Sequence, residues 1–216
     1  MISKIIFILL LLFILNQTLI SQDKGLGFKG GITLSNFTSI KSPITDSEFP
    51  IDSKISFNAG VFIDVFKKEN LVVSSGLYFN RKAGLVDVSI IGIPIYGGVD
   101  FTIDYLEYGI PLKYNFTKSN FIPYIFLEPR VSFYLGSNFS NDKDSIPQYY
   151  QTTVKEDLTK FGAGLSTGIG SEIKLDKKIS ILFEAQFSPD FFYTYSTDFI
   201  KTKSNSLEFR IGLKFY

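Results

Sequence analysis

Apolar and polar residues alternate with a period of two through most of this sequence. Between residues 55 and 65 the odd positions are apolar and the even positions are mostly polar or small, and the same split recurs at 121–135 and 207–215. Successive side chains of a strand point to opposite faces of its sheet, so the pattern predicts strands with one apolar face. Eight strands are expected, at 25–36, 54–66, 71–83, 100–116, 121–136, 157–175, 179–189 and 206–216.

The connections between these strands alternate strictly in length. The short ones are 67–70, 117–120 and 176–178, and the long ones are 37–53, 84–99, 137–156 and 190–205. Outer-membrane barrels have short periplasmic turns and longer outer loops, and their tilted strands need about 9–11 residues. The expected fold class is all-β, an eight-stranded antiparallel up-and-down transmembrane β-barrel that forms one domain over residues 22–216.

Two segments depart from this simple pattern. The alternation slips at 100–105, which predicts a bulge or a strand end rising above the membrane. The connection 84–99 is unusually apolar and rich in glycine. We favour a strand pair extending above the membrane there, and the alternative is an apolar patch for a partner or a lipid ligand.

The N-terminal residues 1–21 have the pattern of a signal peptide. Lys4 supplies a positive charge, and the apolar run from Ile5 to Leu15 is too short for a spanning helix of about 20 residues. Cleavage is expected after Ser21, and the alternative is an uncleaved N-terminal anchor. No cysteine follows the apolar run, so a lipoprotein is not expected.

Several kinds of chemistry are excluded by the composition. The chain has no Cys, no His and no Trp, so disulfides, Cys/His zinc sites, Cys nucleophiles and His-dependent triads are impossible. Known barrel lipases, deacylases, palmitoyltransferases and proteases depend on an active-site histidine, so we expect no enzyme and no catalytic, cofactor or metal site. Without Lys4, the only charge in 1–21, acidic and basic residues balance at 21 each, which gives no electrostatic footprint for nucleic acid.

Glycine indicates which face of the barrel points inward. A soluble lipocalin-like barrel, the alternative, would turn its apolar face inward. A narrow eight-stranded lumen has just enough room for side chains, whereas a solvated face has no need of glycine. We therefore place the polar, glycine-rich face inside; its glycines are Gly27, Gly31, Gly60, Gly76, Gly109, Gly162, Gly164, Gly168, Gly170 and Gly212.

Charged residues on this inward face form balanced sets. Each would be costly to bury alone, so they are expected to pair. The expected lumen charge network consists of Lys29, Glu107, Lys113, Glu128, Arg130, Lys160, Glu172, Lys174, Glu184, Glu208, Arg210 and Lys214. We favour a network that plugs the barrel over a gated pore whose salt bridges rearrange. Phe62, Phe66, Phe126 and Leu182 also point inward in this register, which leaves a small apolar pocket conceivable.

Aromatic residues mark two further features. Those near the second short turn fit an interfacial girdle and are Tyr105, Tyr108, Tyr114, Phe116, Phe121 and Tyr124. The C-terminal strand carries the alternating apolar pattern, ending in an aromatic residue, that barrel-assembly machinery reads. This expected insertion signal consists of Phe209, Ile211, Leu213, Phe215 and Tyr216.

The strands also resemble a known family. Residues 104–116, Asp-Tyr-Leu-Glu-Tyr-Gly-Ile-Pro-Leu-Lys-Tyr-Asn-Phe, are similar to the Tyr-Leu-Glu-Ile-Pro-Leu-Leu-Leu-Lys-Tyr signature of the PorT-type outer-membrane β-barrel family of Bacteroidota. Segments 123–135 and 27–37 resemble its neighbouring strands. Gly109 stands where the family has proline, and Glu128 stands where it has glycine. The resemblance implies an outer-membrane barrel; the founding member is linked to gliding and type IX secretion, a role that the resemblance does not transfer.

These observations predict a small non-enzymatic protein of the bacterial outer membrane with a structural or binding role. Its expected partners are outer-membrane lipid, the barrel-assembly machinery, and an extracellular or envelope protein bound through the four long loops. The alternatives are a narrow channel or carrier for small solutes, and an accessory component of an outer-membrane secretion or assembly system. No cofactor and no nucleic-acid partner are expected.

Overall fold

The computed structural model describes residues 25–38, 40–41, 48–49, 51–87, 98–141, 158–196 and 201–216. The proposed signal peptide at 1–21 lies outside these ranges, as do the central parts of the connections at 88–97 and 142–157. Within the described ranges, no helix is long and apolar enough to cross a membrane.

All regular elements in this part of the chain are strands. They are β1 (Leu26–Phe37), β2 (Ile40–Lys41), β3 (Glu48–Phe49), β4 (Ile51–Lys68), β5 (Leu71–Asp87), β6 (Gly98–Gly109), β7 (Leu112–Asn115), β8 (Phe121–Asn141), β9 (Phe161–Lys174), β10 (Ile179–Pro189), β11 (Tyr195–Ser196), β12 (Lys201–Thr202) and β13 (Ser204–Phe215).

The large sheet closes on itself as an eight-stranded barrel. Its antiparallel neighbours run β1–β4–β5–β6–β8–β9–β10–β13 and back to β1. β6 and β7 form one barrel strand, interrupted between Gly109 and Leu112, and β7 pairs with β5 and β8 as β6 does. Pro111 lies in the interruption and has no backbone N–H to donate to a ladder. Every strand of the ring has a hydrogen-bonded neighbour on both sides, and the expected fold class is confirmed.

Two short hairpins, β2–β3 and β11–β12, lie in long connections. The short connections follow β4, β7 and β9, and we call their side of the barrel the short-turn end. The opposite side is the long-loop end.

Several strands are longer at the long-loop end than the sequence pattern predicts. β5 continues to Asp87 and β6 begins at Gly98, and these two residues are paired. The described part of the connection 84–99 is therefore a strand pair, as favoured, while its apolar positions from Val88 to Tyr96 lie outside the described residues. The expected start of a strand at residue 157 is wrong, because β9 begins at Phe161 and Leu158 makes only an isolated bridge to Tyr195.

The slip expected at 100–105 has a different cause. Alternate residues of β6 stay buried without a break from Val99 to Glu107. The extra residue is Leu135 in β8, because Asp104 pairs with Gly136 and Tyr105 with Tyr134. The inward-facing residues of β6 are thus apolar towards the long-loop end, and the alternation of inward and outward side chains along β6 is unbroken.

A second bulge reverses one inward prediction. In β4, Asp64 pairs with Ser74 and Phe66 pairs with Val73, so Val65 is the extra residue. Since the side-chain period of a strand is two, one inserted residue moves the next side chain to the other face. Phe66 is 47% exposed and does not point into the lumen.

The outward face of the barrel is apolar. Phe28, Ile55 and Ile169 are 50%, 71% and 64% exposed, while the opposite face buries charged and polar side chains. A soluble barrel would bury its apolar face and show the polar one to water. The observed arrangement is that of a barrel surrounded by lipid.

Glycines allow the polar interior to be this narrow. A Cβ atom at Gly31 would collide with the backbone carbonyl oxygen of Phe209, and one at Gly212 would lie 2.6 Å from that of Phe28. Gly162 differs, because the nearest atom to its Cβ position is 3.6 Å away, in Ser132.

The lumen also contains two apolar clusters. The larger closes the long-loop end and consists of Phe37, Ile51, Phe101, Ile103, Tyr105 and Leu158. The smaller lies towards the short-turn end and consists of Phe62, Tyr78 and Leu182. Charged and polar side chains fill the space between and around them.

Candidate functional site: the filled lumen

The structure buries ten of the twelve charged residues expected in the lumen. The two exceptions are Lys160 and Lys174. Lys160 is exposed, because β9 begins one residue after it, and its assignment to the lumen is wrong. Lys174 ends β9 and is half-buried at the rim of the short-turn end, where it lines an open cavity.

Glu184 is the centre of the cluster nearer the short-turn end. It pairs with Lys29 at 2.6 Å and with Lys113 at 3.1 Å, and the Tyr124 hydroxyl donates to it at 2.9 Å. The Lys29 ammonium also lies 5.0 Å from the Tyr78 ring centroid, within cation–π range. One carboxylate on β10 thereby connects β1, β7 and β8 across the lumen.

The middle of the lumen is linked by Asn80 on β5. Its amide donates to Glu107 and to Glu208, both at 3.3 Å. Glu208 pairs with Arg210 at 2.5 Å, while Arg130 pairs with Glu107 at 3.1 Å. The network therefore spans the barrel from β13 through β5 to β6 and β8.

Asp190 collects the charges nearest the long-loop end. It accepts from Lys82 at 2.5 Å and from Arg130 at 2.6 Å, and also from the Ser204 hydroxyl. Sequence reasoning missed Lys82 and Asp190. Lys82 lies on the even, inward face of β5, where the alternation could have found it, but Asp190 follows β10 in a connection without any periodic signal.

Lys214 holds the charges at the short-turn end. It pairs with Asp64 at 2.9 Å and with Glu172 at 3.0 Å, and the Tyr216 hydroxyl donates to Glu172. Asp64 was also missing from the expected network, although its even position in β4 places it on the inward face.

Glu128 has the longest ion pair found for the buried carboxylates in the described part of the chain. Its Oε2 lies 3.9 Å from Arg210 Nη1, and neither atom has a hydrogen-bond partner. A Cβ atom at Gly109 would collide with Glu128 Oε1, so the missing side chain at 109 makes room for the one at 128. These are the two positions that depart from the PorT-type signature, and the structure places them in contact.

The residues predicted to form the aromatic girdle and the insertion signal lie partly on the inward face of the barrel and partly on its outward face. Tyr105 and Tyr124 are buried in the lumen and do not belong to a girdle, because both occupy inward positions of their strands. Exposed aromatic side chains near the second short turn are Tyr114, Phe116 and Phe121. Of the expected insertion signal, Phe209, Ile211 and Phe215 are exposed outward, Leu213 is half-buried, and Tyr216 turns its hydroxyl to Glu172.

The chemistry of this lumen is that of paired charges. Among the residues whose placement the structure gives, no group of three or more carboxylates is arranged to hold a metal ion. Each buried carboxylate faces cations or hydroxyl and amide donors, so the arrangement joins strands across the barrel and fills its interior.

The comparisons with known proteins agree with this architecture. A family model described as "Outer membrane protein beta-barrel domain" matches residues 20–196. Neisserial surface protein A (NspA) is similar in structure, with a TM-score of 0.52 and 13% identity over 89% of this chain and 96% of that chain. OprG from Pseudomonas aeruginosa has a TM-score of 0.52 and 14% identity over 88% of this chain and 94% of that one. No curated protein sequence matches the chain.

Proposed function

Since the chain belongs to the outer membrane protein β-barrel domain family and is a small β-barrel of the bacterial outer membrane, we propose that it is non-enzymatic and has a structural or binding role at its long-loop end. Residues 1–21 are proposed to be its signal peptide. The long-loop end is proposed to face the outside of the cell, as in barrels with short periplasmic turns.

The filled lumen is the observation that carries this proposal. Clusters centred on Glu184, Asn80 and Asp190 follow one another along the barrel, and the side chains of Phe62 and Leu182, each 1% exposed, fill space on the short-turn side of Glu184. An eight-stranded barrel has only enough room for side chains. A lumen filled in this way supports a static scaffold over a wide pore.

The shape of the long-loop end supports binding there. β8 has 21 residues and β4 has 18, about twice what a tilted strand needs to cross the membrane. Ion pairs Arg81–Asp104 and Lys54–Asp100 lie on the outward face of the extended strands. Charges on a lipid-facing surface are costly. These pairs therefore support the view that this part of the strands lies above the hydrocarbon. There β4, β5, β6 and β8 form a raised wall available to a partner.

We also propose that the chain is a barrel of the PorT type. Glu107 and Lys113 keep the spacing of the signature, and both are buried in ion pairs. The contact between Gly109 and Glu128 supports a compensated change at the two divergent positions.

Electrical recording tests the filled lumen. The folded protein is incorporated into planar bilayers, with insertion checked by the heat-dependent gel mobility of a folded barrel. We expect no large steady conductance, because an eight-stranded barrel has only enough room for side chains and the buried clusters occupy that room. A stable conductance like that of a wide porin would contradict the proposal and favour the narrow channel or carrier.

A further inference from the structure

Open space lies at the short-turn end of the barrel. A cavity of about 670 Å³ opens there between the ends of β4, β5, β7, β9 and β13. An adjoining recess of about 490 Å³ shares Lys67, Lys174 and Tyr216 with it. Neither space belongs to the filled lumen, because Lys214 and Glu172 form the boundary between the cavity and the buried clusters.

Lysines dominate the charged lining of this cavity. Lys67, Lys118, Lys174 and Lys214 face two carboxylates, Glu69 and Glu172. Lys214 already pairs with Asp64 and Glu172. For the other three lysines, the described ranges contain no ion pair. With four lysines and two carboxylates, the cavity lining carries an excess of positive charge around an open space, in contrast to the paired charges of the lumen.

The remaining lining is suited to a ligand with a polar anionic group and an apolar part. Asn115 and Thr117 contribute polar groups, and Val72 and Ile122 contribute buried apolar surface. Phe66 lines the cavity and is also 47% exposed on the outward face. At Phe66 the cavity is therefore continuous with the surface that lies against lipid.

Phosphate is the anion that this chemistry favours. Lysine binds phosphate as a point charge, and Lys67, Lys118 and Lys174 line the same cavity. We propose that the cavity at the short-turn end is a binding site for a phosphate group, carried either by a lipid headgroup of the adjacent leaflet or by a soluble phosphate.

A pair of matched variants tests the site in the folded full barrel, held in a maltoside detergent that contains no phosphate. Lys118→Gln/Lys174→Gln removes two charges from the cavity lining, and Lys68→Gln/Lys178→Gln removes two exposed charges from the same end without touching either cavity. Binding of inorganic phosphate is measured by ³¹P NMR line broadening. We expect saturable binding that the cavity variant weakens about tenfold and the control variant leaves nearly unchanged.

A lipid arm identifies the source of the phosphate. Native mass spectrometry counts phosphatidylglycerol retained by each variant, with diacylglycerol of the same acyl chains as the control. Phosphatidylglycerol retained through the two cavity lysines supports the lipid source, and saturable binding of inorganic phosphate alone supports the soluble source. If neither inorganic phosphate nor phosphatidylglycerol bound, or if the two variants weakened binding equally, the proposed site would be contradicted.

Discussion

Individual buried charges in this lumen depend on several partners each. Glu184 faces two ammonium groups and a tyrosine hydroxyl, and Asp190 faces a lysine, an arginine and a serine hydroxyl. Removing water from a charge costs several kcal/mol, and the attraction of one partner only partly offsets this cost. Multiple partners explain why so many charges can be buried in a chain with no disulfide.

Neutralising Glu184 should therefore cost more than the loss of one contact. In Glu184→Gln, the ammonium groups of Lys29 and Lys113 stay buried while the charge between them is gone. We expect the free energy of unfolding to fall by about 3–5 kcal/mol, measured by urea unfolding of the detergent-folded barrel. Glu69→Gln, the same change at an exposed turn residue, is the control and should have little effect. Similar stabilities of both variants would show that the cluster is not a structural element.

Residue positions were predictable from the sequence wherever the alternation was unbroken. The period of two placed ten of twelve proposed charges on the inward face, because a strand offers only two faces. It misplaced Phe66, since the bulge at Val65 depends on pairing with β5, which a single strand does not encode. It also missed Asp190, which the bridge to Gly164 positions from outside any regular strand.

At the scale of elements, glycine permits close contact along the seam between β1 and β13. The two terminal strands pair along their full length, from Leu26–Phe215 to Phe37–Ser204. Gly31 and Gly212 lie in this seam, and each would place a Cβ atom against the backbone of the facing strand. A backbone atom cannot rotate away as a side chain can, so these positions require glycine for steric reasons.

Two glycine substitutions distinguish this requirement from a general intolerance of side chains in the lumen. Gly31→Ala should destabilise the barrel by about 3 kcal/mol or more, because its methyl group meets the carbonyl of Phe209. Gly162→Ala has room beside Ser132 and should be neutral or stabilising by up to about 1 kcal/mol. Thermal shifts of the folded barrels, read from gel mobility, measure both. Equal tolerance of the two changes would contradict the steric explanation.

At the scale of the whole molecule, closure makes the two ends of the described chain interdependent. β1 and β13 are consecutive neighbours in the ring although they lie far apart in sequence, so the barrel closes only when the last strand is in place. The even number of strands and the alternation of connection lengths made this closure predictable from the sequence. The raised wall at the long-loop end was less predictable, because strand length above the membrane depends on pairing between β4, β5, β6 and β8.

Loss of the last two residues should therefore prevent assembly and not merely weaken one strand end. Phe215 pairs with Leu26 on one side and Ile179 on the other, and Tyr216 reaches Glu172 in the lumen. Deleting both residues removes the final rung of both ladders and the aromatic end of the proposed insertion signal, so outer-membrane fractions should contain no heat-modifiable barrel. Tyr216→Phe removes only the hydroxyl and should still assemble, which distinguishes the aromatic end from the Glu172 contact. Normal heat-modifiable protein from the deletion variant would show that neither the last rung nor the insertion signal is needed for closure.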